Sequence, residues 1–338
     1  MADLESIDLA ESKGICFYAC RMPGTAGFSI GFSATSLPGI HPGGFVVASF
    51  DSAPVTILPS LEASDIDSSY YNELTDSIPD STPRRVHLDV VSRGKKALEQ
   101  REAGKIVLSR VLTVCRDFKL SRLLESLDES YPHACVFAFH IPEYGTWAGA
   151  SPEVLLNYGC HLLSTVSLAG TRRRGASGSW DGKNLEEQAL VTKHIMDCFR
   201  EEGFEPLAKG PFTHPAGPVE HLQTLISADA VTLTPRGAES LLKRLSPTPA
   251  LGGYPVRWAA ETIPAIEHHD RGCYGGYMGL VSPEGDMSLY VNLRSMKIGA
   301  DKASLFVGGG ITPLSVPADE WKETQIKAAT LLSVLRKL

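Results

Sequence analysis

Two glutamates near the end of the chain have the spacing of metal ligands. Glu320 and Glu323 stand three residues apart near the start of the last predicted helix, so their side chains share one face of it. Carboxylate oxygens are the ligands that a hard cation such as Mg²⁺ prefers. Glu187, in the first turn of another predicted helix, is a candidate third ligand, although a carboxylate also stabilises a helix N-terminus by itself. The three glutamates therefore form a candidate Mg²⁺ site.

An arginine and a run of glycines indicate an anionic ligand. Arg294 lies in a predicted strand over 289–298, and a guanidinium group binds a carboxylate through two parallel hydrogen bonds. Residues 308–310 are all glycine and follow a second short predicted strand, 304–307; such a run lets backbone N–H groups approach an anion. Each signal alone is more often structural, as a loop or a surface arginine. Together with the glutamates they predict a small anionic substrate, held partly through a metal ion.

Lys105 and His221 are candidates for proton transfer. Lys105 begins an apolar predicted strand, and burial lowers the pKa of a lysine, which makes it a usable general base. The alternative is a lysine whose ammonium group reaches solvent at a strand end. His221 lies inside another predicted strand, where a histidine is more often a hydrogen-bonded core residue than a catalyst.

Composition excludes several classes of protein. Of the 338 residues, 43% are hydrophobic, as in a globular protein with a sizeable core. The formal net charge is −7 and no basic block occurs, which argues against nucleic acid or an anionic membrane as the main partner. No signal-peptide pattern and no apolar run of the ~18 residues that a membrane span requires is present. Seven scattered cysteines without a Cys-x-x-Cys pair fit reduced thiols, so we expect a cytoplasmic protein.

The pattern of elements predicts an α+β fold with mainly antiparallel sheet in a single large domain, because strands come in runs joined by short turns. The predicted strands cover 27–33, 43–50, 56–58, 105–115, 134–140, 145–150, 161–168, 219–226, 289–298 and 304–307. The predicted helices cover 87–104, 120–131, 183–202, 236–245, 256–267 and a final helix from 319. Residues 59–85 are expected to form a polar surface loop. Gly170 is expected to end the 161–168 strand and to be followed by a basic loop.

Taken together, these segments resemble the chorismate-utilising enzymes, which include anthranilate, aminodeoxychorismate, salicylate and isochorismate synthases. The resemblance runs from about Lys105 to the C-terminus. Its motifs occur in family order: 105–110, 150–153, 168–172, Glu187 with 190–191, 221–222, 274–276, 293–295, 308–311 and 320–323. The resemblance implies two antiparallel sheets packed face to face with flanking helices. Residues 1–100 would form a variable part of the same domain, and 101–338 the chorismate-binding region.

Within that family the chain looks most like a menaquinone-type isochorismate synthase. The loop at 247–255, with Ala250 and Leu251, resembles the isochorismate synthase form. Ala169 stands where aminodeoxychorismate synthases carry a nucleophilic lysine, which leaves water as the nucleophile. The segment 182–187 is closest to the menaquinone-type enzymes.

The resemblance also implies a mechanism. Mg²⁺ would be held by Glu187 and Glu323, with Glu320 in or near the shell, and would bind the ring carboxylate of chorismate. The other carboxylate would meet Arg294. Lys105 would deprotonate a water that attacks C2 while the C4 hydroxyl leaves. The remaining substrate contacts would be Tyr274, Gly308, Gly309, Gly310, Ala169, Gly170, Thr171, Ala250 and Leu251.

One position departs from the family pattern. Isochorismate synthases are expected to carry a glutamate four residues before Gly170, as the acid that protonates the leaving hydroxyl, and Val166 stands there. The general acid is therefore unassigned. Three readings stay open: an isochorismate synthase, another chorismate enzyme of the salicylate or anthranilate type, or a chorismate-binding protein without turnover. The expected partner is the small molecule alone, with the chain a monomer or weak homodimer.

Overall fold

Two antiparallel β-sheets and seven α-helices make up the part of the chain that the computed structural model describes, which is residues 3–66, 77–101, 104–176, 178–216 and 219–338. The helices are α1 (Glu5–Ser12), α2 (Arg84–Glu99), α3 (Leu120–Ser130), α4 (Gly182–Glu201), α5 (Pro235–Leu245), α6 (Val256–Ile266) and α7 (Pro317–Leu335). None of them is long and apolar enough to cross a membrane.

The strands of the N-terminal half are β1 (Cys16–Arg21), β2 (Ser29–Ser33), β3 (Leu37–Pro38), β4 (Phe45–Ala48), β5 (Val55–Ile57), β6 (Lys105–Cys115), β7 (Cys135–Ile141), β8 (Gly145–Ser151) and β9 (Val154–Gly159). Those that follow are β10 (Leu162–Arg173), β11 (Leu207–Ala216), β12 (Val219–Asp229), β13 (Gly253–Tyr254), β14 (Tyr277–Val281), β15 (Met287–Val291), β16 (Ser295–Ile298) and β17 (Lys302–Ile311). One sheet has the order β13-β6-β17-β16-β8-β7-β1-β2, and the other β11-β12-β10-β9-β15-β14-β4-β5-β3. The predicted antiparallel α+β fold is confirmed.

The main core lies between the two sheets. Tyr18 of the eight-stranded sheet stacks on Phe45 of the nine-stranded sheet, with ring centroids 5.0 Å apart. Large side chains of both sheets are fully buried in this layer, and burial of each contributes roughly 1.5–3 kcal/mol. Helices α1, α3 and α7 cover the outer face of the eight-stranded sheet, while α2 and α6 pack against β6. The sheets are therefore packed face to face with helices outside, as expected.

The predicted single strand over 289–298 is wrong, because the chain changes sheet in the middle of it. Strand β15 belongs to the nine-stranded sheet and β16 to the eight-stranded sheet. Arg294 stands between them with a φ of 49°, in the left-handed region that side chains rarely adopt. A Cβ on Gly149 of β8 would lie 2.6 Å from the Arg294 carbonyl oxygen, so the glycine permits this close crossing. The crossing places Arg294 where the two sheets meet.

Two further boundaries differ from the predictions. Strand β10 does not end at Gly170 but continues, through an irregularity between Ala169 and Thr171, to pair with β12. The glycines at 308–310 do not form a loop; they lie inside β17 and pair with 107–109 of β6. Glycine carries no side chain to mark a strand, which is why the pattern ended early.

Several elements were not predicted at all, namely helix α1 and strands β1, β3, β9, β11, β13 and β14. Of the predicted loop at 59–85, residues 67–76 lie outside the described residues. The following stretch lies against β6, where the Thr82 N–H donates to the Val111 carbonyl at 2.9 Å. This part of the loop therefore packs on the sheet.

Candidate active site

Lys105 and Glu187 meet across the site. Lys105, the first residue of β6, places its Nζ 2.7 Å from Oε1 of Glu187 in α4. Both side chains are partly exposed, at 27% and 31%. The lysine lies along the backbone of Gly310, since a Cβ there would be 2.6 Å from Lys105 Cε. The strand pairing of β6 with β17 therefore sets where the ammonium group lies.

The neighbouring glycines of β17 approach other predicted site residues. A Cβ on Gly309 would lie 3.1 Å from Glu320 Oε2 and 3.7 Å from Glu323 Oε1, both in α7. A Cβ on Gly308 would lie 3.0 Å from the Tyr274 hydroxyl. The lack of side chains on three successive strand residues thus gives room to the lysine, the α7 carboxylates and the tyrosine.

Glu320 and Glu323 have the properties expected of cation ligands. Oε2 of Glu320 is buried and has no hydrogen-bond partner among the described residues. Burial raises the pKa of the Glu320 carboxyl above its ordinary value, and the negative charge of Glu323 acts in the same direction. A divalent cation would satisfy the orphan oxygen and remove the repulsion between the two carboxylates.

The third predicted ligand is not brought to this pair. Glu187 bonds to Lys105, and within the described ranges no three His, Cys, Asp or Glu side chains converge closely enough to hold a metal ion. The three-glutamate Mg²⁺ site therefore stays a prediction. Glu320 and Glu323 lie side by side, while Glu187 is hydrogen-bonded to Lys105.

Lys327 is a site residue that the sequence interpretation missed. Its Nζ lies 2.8 Å from Glu323 Oε1 and donates a hydrogen bond to the Gly308 carbonyl at 2.8 Å. It follows Glu323 by four residues, and that spacing on one helix face was the available signal. Lys327 therefore links helix α7 to the glycine strand.

Glu153 is the second missed residue and has the properties of a general acid. It is half-buried and lines a small pocket with Val166 and Ala250. Burial raises the pKa of Glu153 to about 7, although the positive charges of Lys105 and Arg294 oppose the shift. A carboxyl group that holds its proton near neutral pH thus lies within electrostatic reach of the candidate base. The signal was its place in the Ser-Pro-Glu motif at 151–153.

Arg294 and Tyr274 provide donors for an anion. The Arg294 side chain is exposed at the sheet crossing, and among the described residues its guanidinium makes no hydrogen bond. Tyr274 is buried and stacks on Phe306 at 5.5 Å between centroids. Burial raises the pKa of Tyr274 to about 12, so its hydroxyl remains a hydrogen-bond donor at neutral pH. This pair suits a carboxylate.

Gly170 and His221 lie at the irregularity of β10, next to α4. Gly170 has a φ of 67°, and a Cβ on it would lie 3.1 Å from Oδ1 of Asn184 in the first turn of α4. His221 Nδ1 donates to the Gly170 carbonyl at 3.1 Å, and burial lowers the pKa of the imidazole. This hydrogen bond joins His221 to the backbone of β10. Ala169 is buried beside this irregularity, while the side chain of Thr171 lies outside the described residues.

The loop with Ala250 and Leu251 closes the site on the side of β6. Ala250 lines the pocket of Glu153 and Val166. Leu251 is buried, and a Cβ on Gly275 would lie 3.5 Å from its Cδ1. The structure therefore gathers the predicted base, anion donors and loop residues around the start of β6 and the glycine-containing strand β17.

Comparison with known proteins identifies the family of this chain. A family model described as chorismate binding enzyme matches residues 59–336. This chain belongs to that family. Isochorismate synthase EntC of Escherichia coli K12 is 32% identical over 262 residues, which cover 72% of this chain and 66% of EntC. Isochorismate synthase MenF of Bacillus subtilis is 31% identical over 264 residues, covering 73% of this chain and 55% of MenF.

This member of the chorismate-binding enzymes thus aligns with slightly less than two thirds of EntC and with little more than half of Bacillus subtilis MenF. Its fold is that of the menaquinone-specific isochorismate synthase MenF from Escherichia coli, at a TM-score of 0.82 and 21% identity. That match covers 99% of this chain and 91% of the other. The predicted family and its fold are confirmed.

Proposed function

We propose that the chain is an isochorismate synthase, which converts chorismate to isochorismate with Mg²⁺ as its cofactor. The observation that carries the proposal is the pair of Lys105 and Glu153, a candidate base and a carboxyl group protonated near neutral pH, in one site with Arg294. The names of the two relatives, EntC and MenF, support the same reaction.

In the proposed reaction a water molecule adds to C2 of the chorismate ring. Lys105 accepts a proton from that water as the water oxygen bonds to carbon, and the ring double bonds shift. Glu153 gives its proton to the C4 hydroxyl, which leaves as water. One water enters and one leaves, so the product is an isomer of the substrate. Glu153 thereby takes the role that could not be assigned with valine at position 166.

The remaining residues bind and orient the substrate. Arg294 and the Tyr274 hydroxyl donate to one carboxylate of chorismate. Glu320 and Glu323 would hold Mg²⁺, with Glu187 as the predicted third ligand. When bound, Mg²⁺ would neutralise the ring carboxylate and polarise the diene. Holding water and leaving group on one ring lowers the entropic cost of reaction. The menaquinone pathway and a cytoplasmic location, predicted above, belong to this proposal.

The test is the product that the purified chain makes from chorismate with Mg²⁺, resolved by chromatography. We expect isochorismate, and almost none from a Lys105→Ala variant. Salicylate with pyruvate would show a lyase, and an ammonia-dependent product an amine-transferring enzyme. Tight chorismate binding without any product would show a binding protein. Each of these three results would contradict the proposal.

A further inference from the structure

Among the residues that the structure describes, no strand pairs with one edge of β6 just after Lys105 and Ile106. Strand β13 pairs with Lys105 and Ile106 only, and the Val107 N–H then donates to the Gly252 carbonyl at 2.9 Å. The next two backbone groups on this edge are the Val107 carbonyl and the Ser109 N–H. Neither faces a strand in the part of the chain that the structure describes. Buried groups of this kind need partners, because an unpaired one costs free energy.

Glu267 and Arg271 supply those partners. Arg271 Nη2 donates to the Val107 carbonyl at 2.7 Å, and the Ser109 N–H donates to Glu267 Oε1 at 2.5 Å. The two side chains also bind each other, at 2.8 Å from Arg271 Nε to Glu267 Oε2 and 2.6 Å from Nη2 to Oε1. Both residues are buried, with 7% and 3% exposure. The pair thus replaces a missing strand beside the one that carries Lys105.

The same guanidinium group reaches the loop that closes the site. Arg271 Nη1 donates to the Leu251 carbonyl at 2.8 Å, and the guanidinium carbon lies 4.5 Å from the Phe50 ring centroid. One planar group therefore ties Leu251 to Val107, two residues from Lys105. A lysine ammonium group does not reproduce this, because four hydrogen bonds in fixed directions need the planar guanidinium fork.

Stability alone does not account for a fully buried ion pair. Well-packed hydrophobic residues in place of such a pair often give equal or greater stability, because desolvation of two charges is costly. What the charges provide and hydrophobic residues do not is a set of directed bonds to chosen carbonyl and N–H groups.

We propose that Glu267 and Arg271 are positioning residues for the reaction, and that they fix the Lys105 strand and the Leu251 loop relative to one another. The inference rests on the proposed function. The pair acts through β6 and the loop, so its removal shifts the base relative to the substrate. A displacement of about 1 Å can cost roughly 100-fold in rate.

The test compares Arg271→Lys with a matched variant elsewhere. Arg116 is also mostly buried, at 13% exposure; it donates to both Glu11 oxygens at 2.7 and 2.9 Å and to the Gly299 carbonyl at 2.8 Å. Thermal unfolding, kcat and KM for chorismate are measured for Arg271→Lys and Arg116→Lys, at a temperature where each is folded. We expect both to lose thermal stability. Only Arg271→Lys should lose kcat, by roughly 10- to 100-fold, with a smaller change in KM.

The inference is overturned if folded Arg271→Lys keeps the parental kcat, or if Arg116→Lys loses kcat to the same extent. If Arg271→Lys does not fold, Glu267→Gln is judged by the same criteria, since it keeps an acceptor for Ser109 but removes the charge. A parent chain that makes no isochorismate overturns the proposed function and this inference together. An active parent with fully active variants overturns this inference alone.

Discussion

The Lys105 ammonium group lies 2.7 Å from the Glu187 carboxylate, between the first residue of β6 and the first turns of α4. This ion pair joins the eight-stranded sheet to a helix on the nine-stranded sheet. Both partners are partly exposed, so water and substrate can reach them. The residues around this contact determine whether the lysine can act as a base, and each can be changed separately.

Gly310→Ala should move the lysine without unfolding the protein. The new Cβ would lie 2.6 Å from Lys105 Cε, and a flexible side chain can yield where backbone cannot. We expect kcat to fall roughly 10- to 100-fold and the melting temperature to change little. Gly182→Ala is the control, because a Cβ there meets no atom of the described residues within 4 Å. Equal kcat in the two variants would show that the lysine is not the base.

Glu153→Gln should remove the proton donor. We expect kcat to fall by roughly 10²- to 10⁴-fold, as is typical when a general acid is lost. In the parent, kcat should fall as pH rises above about 7, since burial raises the pKa of Glu153 to about 7 and only the protonated carboxyl donates. A pH–rate profile measures this. An unchanged profile in Glu153→Gln would contradict the assignment.

The raised pKa of Glu153 should also make the stability of the folded protein depend on pH. Its pKa is raised in the folded state from 4.5 to about 7, so the folded chain binds the proton more tightly than the unfolded chain. The free energy of unfolding that this tighter proton binding contributes is fully present below pH 4.5 and is lost as pH rises through about 7. Melting curves across that window should therefore show Glu153→Gln gaining stability relative to the parent as pH increases. If the difference in melting temperature between the variant and the parent does not change with pH, the Glu153 carboxyl is solvated and its pKa is not raised.

Glu320→Gln should separate metal binding from folding. Burial and Glu323 raise the pKa of the Glu320 carboxyl, so its neutralisation should stabilise the metal-free protein. In the parent, added Mg²⁺ should raise the melting temperature by mass action, and Glu320→Gln should lose most of that rise. Asp319→Asn, an exposed change in the same turn, should keep it. A full Mg²⁺-dependent rise in Glu320→Gln would exclude this carboxylate as a ligand.

Arg294→Lys should weaken substrate binding. A charged hydrogen bond contributes about 1.5–3 kcal/mol, and a lysine cannot form the paired bonds of a guanidinium. We therefore expect KM for chorismate to rise roughly 10- to 100-fold. Arg257→Lys is the control, because that side chain is 93% exposed on α6. Similar KM values for both variants would show that the anion binds elsewhere.

Much of the fold follows from local pattern. Strand β6 was predicted with the bounds Lys105–Cys115, because a run of alternating and continuous apolar residues begins and ends there. The antiparallel arrangement followed from short turns between neighbouring strands. The sheet crossing at Arg294 could not be predicted from local pattern, because an alternating pattern continues unchanged when the chain leaves one sheet and enters another. Which sheet a strand joins is decided by tertiary contacts.

The candidate site was predictable in its residue types but not in its pairings. Lys105, Arg294 and the glycines were identified, and the structure brings them to one region. Glu153 was missed because its chemistry depends on burial, and burial in the site pocket cannot be read from one motif. The Lys105–Glu187 bond joins residues 82 positions apart, so no local signal exists for it.

The most direct measurement is conversion of chorismate in ¹⁸O-labelled water, with the product examined by mass spectrometry and carbon NMR. If water adds at C2 while the C4 hydroxyl leaves, isochorismate should carry one labelled oxygen, attached to C2. Isochorismate without label would mean that the hydroxyl group moves within the substrate and that Lys105 activates no water. Absence of isochorismate would contradict the proposed function itself.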